Sequence, residues 1–331
     1  MLERLTETND ANSGVVLVMI VSIMTSASAC AISQDTPDST ERFPRPFMVI
    51  AHRGASAYAP ENTLPAFQKA LDLGAFEVEL DVMLTRDREV LLFHDQDLEI
   101  KTGLAGRVSD YQLSQLRELE IGSWFDRTHP EIVETGVSYN GTSLITLEEL
   151  FDHFGGRLYY HIELKSSEED LAALTLGVVE KAGLREHVRI TSFNYSQLLQ
   201  VTKLDADIPT CLLIRGPERL AESAEDGKTD ALTLQMRWVE RAKRAGFGQV
   251  GIHSRHLSLE IVHYTRRLGL LLRSFGIKGN EDMIRAIDLG AGGMTTNWPD
   301  RLIREMVRQA GSKSGSPGGN RQYKLRNFQV R

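Results

Sequence analysis

Two cysteines in 331 residues are too few for a disulfide framework. Cys211 lies in the apolar run Thr-Cys-Leu-Leu-Ile and reads as a small buried hydrophobe. No His/Cys cluster has zinc-site spacing. No glycine-rich dinucleotide fingerprint follows a candidate strand, and no apolar stretch reaches the ~20 residues of a membrane-spanning helix. Outside the C-terminus positive charge is outnumbered by negative. The formal net charge is −7, yet residues 311–331 hold Lys313, Arg321, Lys324, Arg326 and Arg331 with no acid, leaving −12 on residues 1–310. So acidic a body fits a nucleic-acid backbone poorly, and no nucleic-acid partner is expected. It does suit a site that concentrates a divalent cation.

The apolar run from Gly14 to Thr25 has the length of a signal-peptide core. Ala27-Ser-Ala29 then supplies an A-x-A cleavage site. Cys30, directly after it, resembles the cysteine of a bacterial lipoprotein box, which is lipidated after cleavage. Two departures stand against these readings. Ala27 occupies the place of that box's leucine, and residues 1–14 set Arg4 against Glu3, Glu7 and Asp10 where a leader is usually positive. Export is the expectation (periplasmic, secreted or lipid-anchored, with membrane proximity through Cys30), and a cytoplasmic location if the leader is not functional. Residues 1–46 thus read as leader plus linker, 47–310 as one domain, and 311–331 as a basic tail whose Gly/Ser/Pro-rich start predicts disorder.

From residue 47 short β-rich apolar runs alternate with helical stretches, as in a parallel α/β protein. The expected strands are Phe47–His52, Phe76–Leu84, Val90–Phe93, Leu158–Glu163, Val188–Ser192, Pro209–Ile214, Gln249–His253, Leu270–Phe275 and Gly293–Thr296. Expected helices include Pro65–Leu73, Leu147–His153, Glu169–Ala182, Tyr195–Leu204, Leu232–Ala245, Leu259–Leu268 and Glu281–Leu289, with Asn280 as a cap for the last. Gly74, Gly183, Gly246, Gly269 and Gly290 fall where helices end. The pattern predicts a (β/α)8 TIM barrel. Nine strands compete for eight places, however, and only residues 85–89 separate the second from the third. A parallel crossover needs about a dozen residues, so this pair is hairpin-like or one member lies outside the barrel. Residues 99–145 form an irregular excursion with too few apolar positions for a core of their own.

Side chains alternate along a strand, so Glu79 and Asp81 share one face and Val78, Leu80 and Val82 the other. Two carboxylates on one face of a buried strand repel unless a cation sits between them or one is protonated. A hard divalent ion with oxygen ligands, Ca²⁺ or Mg²⁺, resolves the conflict, and Glu163 can supply a third carboxylate. His52 and His94 follow apolar strand residues at equivalent positions. As a pair of imidazoles they suit the two proton transfers of phosphodiester cleavage. Arg53 and Lys165 balance a phosphate charge. Glu61 and Asp95 are assigned only orienting or loop-capping duties, and His253 and His256 fall where they could line the mouth.

His52-Arg-Gly-Ala55, Pro60-Glu-Asn-Thr63, Glu79-Leu-Asp81-Val82, Thr85-Arg-Asp87 and His94-Asp95 resemble, in order and spacing, the glycerophosphodiester phosphodiesterases. The resemblance continues through Gly122-Ser-Trp-Phe125, Thr146-Leu-Glu-Glu149, Glu163-Leu-Lys165, Ser192-Phe193 and Thr296-Asn-Trp-Pro-Asp300, covering roughly residues 47–305. It implies a phosphatidylinositol-phospholipase-C-like barrel that hydrolyses glycerophosphodiesters to sn-glycerol 3-phosphate and an alcohol, in phospholipid and glycerol metabolism. It also implies a metal at Glu79, Asp81 and Glu163, with His52 and His94 as the acid/base pair. Phospholipase C/D-like or lysophospholipase D action on membrane lipids, and an idle ligand-binding barrel, are the alternatives. Two departures concern the substrate pocket: Phe275-Gly-Ile-Lys278 stands where the family commonly has Trp-Thr-Val-Asn, and Asn297 where it commonly has Asp. Phe275 keeps an aromatic wall but loses the indole N–H.

Overall fold

Eight parallel strands close on themselves in a computed structural model that describes residues 47–216 and 229–311. The leader and linker of residues 1–46, Cys30 with its lipidation reading, and nearly all of the basic tail lie outside the described residues. The strands are β1 (Met48–His52), β2 (Glu77–Leu84), β3 (Val90–Leu92), β4 (Tyr159–Leu164), β5 (Val188–Ser192), β6 (Thr210–Ile214), β7 (Gln249–His253), β8 (Leu271–Phe275) and β9 (Gly293–Thr296). Parallel pairing runs β1-β9-β8-β7-β6-β5-β4-β2 and closes through β1–β2. The odd strand, β3, pairs antiparallel with β2 outside the ring, with Val82 opposite Leu92 and Leu84 opposite Val90. Five connecting residues permit only that return, so both halves of the expectation for this pair hold.

Among the described residues, eight longer helices pack around the barrel: α1 (Leu64–Asp72), α2 (Leu147–Phe154), α3 (Leu171–Lys181), α4 (Tyr195–Leu204), α5 (Ala231–Arg244), α6 (Leu259–Arg267), α7 (Asn280–Asp288) and α8 (Pro299–Gly311). Their starts are written in the sequence. Thr146 and Glu149 form a reciprocal capping box on α2, Asn194 accepts from two backbone amides at the start of α4, and Asp230 does the same for α5. Asn280 is a correction: Gly279 holds the N-cap position and Asn280 is the first residue of α7, with no side-chain cap. The five glycines expected at helix ends all have positive φ, from 67° to 85°.

The outward faces of the strands meet the helices in one apolar shell that includes Val78, Leu80, Val82, Ile162, Ile190, Leu212, Val250 and Leu272. Opposite parity places Glu79, Asp81, His161, Glu163, Arg189, Thr191, Cys211, Gly251 and Arg273 on the lumen side. An apolar outside and a polar inside explain how carboxylates sit on buried strands. Residues 99–145 are more ordered than expected. Leu98, Val108, Leu116, Ile121 and Leu144 join Met83, Leu91 and Phe93 in a second, smaller apolar cluster, so the excursion borrows strand residues to complete a core. No helix among the described residues is long and apolar enough to cross a membrane.

Candidate active site

At the end of β1 the chain takes two left-handed residues in succession, Arg53 at φ 54° and Gly54 at φ 81°. Left-handed backbone costs a non-glycine residue about 1–2 kcal/mol. Three interactions of Arg53 offset it. Its backbone N–H donates to Glu79 Oε2 at 3.1 Å, Nη1 donates to both oxygens of Glu61 at 3.0 and 2.9 Å, and Nε lies 3.0 Å from Asp81 Oδ2. Gly54 is required for a second reason: a Cβ there would lie 2.6 Å from the Ala66 carbonyl carbon. Asn62, also left-handed at φ 57°, donates to Asp81 Oδ2 at 3.0 Å and accepts from the Asp81 amide at 3.2 Å. Backbone strain thus concentrates where the chain turns back over β2.

Glu79, Asp81 and Glu163 each point an oxygen into one space, with all three ligand atoms within 4.8 Å of one another. The β2–β4 register, Asp81 opposite Glu163, produces this convergence. All three are buried, at 3%, 0% and 7% exposure. Burial, then Asp81 and Glu163, push Glu79 well above the usual carboxylate range. Burial and Asp81 also raise Glu163, against the pull of Lys165. Burial acts on Asp81 too, but Arg53, Lys165 and His94 outweigh it and bring the group down to about 2. Lys165 Nζ lies 3.0 Å from Glu163 Oε1 and 3.7 Å from Asp81 Oδ1. Asp81 Oδ1 is nevertheless buried without a hydrogen-bond donor. A buried acceptor lacking a donor, inside three converging carboxylates, fits an oxygen-ligated divalent cation.

Both histidines adjoin this cluster. His52 Nε2 is 3.9 Å from Glu79 Oε2, and its Nδ1 is 2.6 Å from Asn297 Oδ1. With the amide oxygen as acceptor, the proton sits on Nδ1 and Nε2 keeps its lone pair towards the acidic cluster. Burial, then the adjacent Arg53, depress His52 to about 4, so the ring is neutral near pH 7. His94 Nδ1 lies 2.6 Å from Asp95 Oδ1, a contact that orients the ring. The histidines are not equivalent, contrary to expectation. His52 ends a barrel strand, whereas His94 follows the antiparallel β3, held by the Phe93 N–H donating to the Asp81 carbonyl at 3.1 Å.

Several participants had no role readable from the sequence. Lys101, only 6% exposed, reaches from the excursion to Glu61 Oε1 at 2.5 Å and Asp95 Oδ2 at 2.8 Å. It links the partner of Arg53 to the partner of His94. Asn62 and Asn297 stand within recurring motifs, but nothing in those motifs ties these short loop amides to Asp81 and His52. Deeper in the barrel, Arg273 Nη1 donates to His161 Nδ1 at 2.9 Å, and His161 Nε2 then donates to Glu77 Oε2 at 2.8 Å. Burial, moderated by Arg189 and Arg273, pushes Glu77 up to about 7. Lumen parity for Arg273 was readable from β8, but an isolated arginine on a strand reads more readily as an outward charge.

Phe275 stands across the mouth on β8, with its ring centroid 5.6 Å from Phe193 and 5.5 Å from His253. The described site therefore has two walls. β1, β2 and β4 carry the acidic cluster and its cations; β5, β7 and β8 carry aromatic rings at their C-terminal ends.

A closed (β/α)8 barrel with three converging carboxylates, two histidines and two cations at its C-terminal mouth is an arrangement suited to hydrolysis of a phosphodiester. The family model for the glycerophosphoryl diester phosphodiesterases matches residues 52–301, and the chain belongs to that family. Its reaction class, hydrolysis of glycerophosphodiesters, follows from the membership. A glycerophosphodiester phosphodiesterase of Bacillus subtilis (strain 168) is 33% identical over 268 residues, covering 78% of this chain and 85% of the relative. One from Caldanaerobacter subterraneus is 29% identical over 274 residues, covering 80% and 99%. Among solved structures, an Oleispira antarctica phosphodiesterase in complex with the product sn-glycerol-3-phosphate superimposes with a TM-score of 0.65 at 24% identity, over 78% of this chain and 96% of that one.

Proposed function

We propose that this chain hydrolyses glycerophosphodiesters to sn-glycerol 3-phosphate and an alcohol with one divalent cation, Ca²⁺ or Mg²⁺, held by Glu79, Asp81 and Glu163. The convergence of those three buried carboxylates around the donorless Asp81 Oδ1 carries the reading. A cation bound there would polarise a phosphoryl oxygen and lower the barrier to attack at phosphorus. The protein's own residues supply the rest. His52, neutral with Nε2 free, accepts a proton from the attacking hydroxyl or water. His94, oriented by Asp95, donates a proton to the leaving alkoxide. Arg53 and Lys165 stand beside the phosphate position and stabilise charge that grows as the phosphorus becomes five-coordinate. Phe275 presents an apolar face to a substituent of the diester.

A panel of phosphodiesters read by released alcohol and sn-glycerol 3-phosphate tests this directly. Turnover of glycerophosphodiesters, lost with EDTA and restored by Ca²⁺ or Mg²⁺, is expected. Cleavage confined to lysophospholipid or phosphatidylinositol would instead support action on membrane lipids. The apolar run before Ala27-Ser-Ala29-Cys30 supports export as part of the same proposal. Mass spectrometry of the mature N-terminus would find it at Cys30 or nearby, lipidated or free; an intact Met1 on cytoplasmic protein would oppose it.

A further inference from the structure

Each barrel strand places a lumen-facing residue at or just beyond its C-terminal end, and on one side of the mouth these residues are aromatic or cationic. Phe193 and Arg215 directly follow β5 and β6, while His253 and Phe275 end β7 and β8. Lumen parity runs through Thr191 to Phe193, Cys211 to Arg215, Gly251 to His253 and Arg273 to Phe275. Gly251 confirms the direction, since a Cβ there would meet Leu213, Phe275 and Arg273 side-chain atoms at 2.6, 3.6 and 3.7 Å. The rings touch in sequence: Phe193 packs edge-on against Phe275, and Phe275 against His253. Gly276, at φ 69°, makes the second contact possible. A Cβ on it would lie 2.3 Å from His253 Nε2, so a threonine there, as in the family pattern, excludes the imidazole from this place.

Among the described residues, charge on this wall has one dominant sign. The Arg215 guanidinium sits over the Phe193 ring at 5.3 Å, and Arg255 and Lys278 are exposed in the turns after β7 and β8. Arg255 Nε donates to His256 Nε2 at 3.0 Å. A nearby acid, Asp282, accepts from the Lys278 backbone N–H at 2.8 Å. Among the described residues, no carboxylate forms an ion pair with the side chain of Arg215, Arg255 or Lys278. A quaternary ammonium would find an aromatic face here already occupied by a guanidinium, with two further cations in the neighbouring turns. A polyol bearing phosphate or carboxylate would find ring faces for its carbons and donors for its anion.

We propose that the β5–β8 wall is a subsite for an anionic alcohol group, so that Arg215 and Lys278 bias the enzyme towards glycerophosphodiesters of phosphorylated or carboxylated polyols and against glycerophosphocholine. The proposal rests on the diesterase function above and specifies its substrate. The test compares kcat/KM for glycerophosphoinositol 4-phosphate, glycerophosphoinositol and glycerophosphocholine with the metal-loaded full-length enzyme. At low salt the phosphorylated substrate should exceed the choline diester by about tenfold or more, with the neutral inositol diester between them. The preference should shrink at about 0.5 M salt, where exposed charges are screened. In an Arg215→Gln/Lys278→Gln variant, confirmed folded by circular dichroism, the anionic-to-neutral ratio should collapse towards one. Equal or faster turnover of glycerophosphocholine, or a ratio unmoved by the double variant, overturns the subsite while leaving the diesterase function standing. No turnover of any of the three removes both.

Discussion

Arg53 and Asp81 show how a single contact serves folding and chemistry together. Asp81 is fully buried, and Arg53 is the strongest influence holding it ionised against that burial. Arg53→Ala leaves Asp81 facing Glu79 and Glu163 with less compensation, so metal-free protein should lose about 3 kcal/mol or more in urea unfolding. Added Ca²⁺ or Mg²⁺ should recover part of that loss by binding the folded state alone. A variant as stable as the parent would show that the ion pair contributes little. The histidines make a kinetic prediction. His52→Ala or His94→Ala should each lower kcat by about 10²-fold or more. Isothermal titration should still detect metal in both, because neither ring belongs to the carboxylate set. A His94→Ala enzyme with near-normal turnover would remove it from acid/base duty. Since His52 is held near 4, the acid limb assigned to it should lie well below the ordinary imidazole range.

The segment between β3 and α2 supplies more than a connection. Its buried Lys101 holds Glu61 and Asp95 together, and through them the orientations of Arg53 and His94. Lys101→Met should therefore reduce kcat by about tenfold through misorientation of His94, with a much smaller change in metal affinity. Equal losses of kcat and metal affinity would mean that Lys101 supports the whole site rather than one histidine. This segment was also least legible in the sequence. Barrel strands announce themselves because they are apolar on their outer face and are followed by helical periodicity; β5, β7 and β9 were delimited to the residue. The excursion has short helices and a core completed by Met83, Leu91 and Phe93 from the hairpin, so no local window carries enough apolar residues to reveal it. The site divides similarly. The carboxylate triad followed from strand alternation and recurring motifs. Asn62, Lys101 and Asn297 act across long sequence separations through ordinary-looking polar side chains, and Gly276 acquires meaning only once His253 is seen lying on it.

The closed barrel brings three raised or opposed carboxylates into one enclosed space, which ties metal binding to protons. Glu79 and Glu163 have folded pKa values above their unfolded ones. Their contribution to the stability of metal-free protein is complete below the ordinary carboxylate range and is lost as pH rises through the folded values. A bound cation reverses that preference by favouring the ionised groups. Metal binding should consequently release protons, and affinity should strengthen as pH rises from about 5 to 8. Titration calorimetry in buffers of different ionisation enthalpy would measure the release. An affinity independent of pH would mean that these carboxylates are already ionised in the free protein.

The most direct measurement is turnover of a glycerophosphodiester by metal-stripped enzyme, before and after adding Ca²⁺ or Mg²⁺, in the parent and in Glu163→Gln. The parent should release sn-glycerol 3-phosphate only when a cation is present. Glu163→Gln should need at least about tenfold more cation for the same rate, since a neutral amide replaces one of three anionic ligands. Full activity in EDTA, or an unchanged metal requirement in Glu163→Gln, would contradict a reaction built around the Glu79–Asp81–Glu163 site.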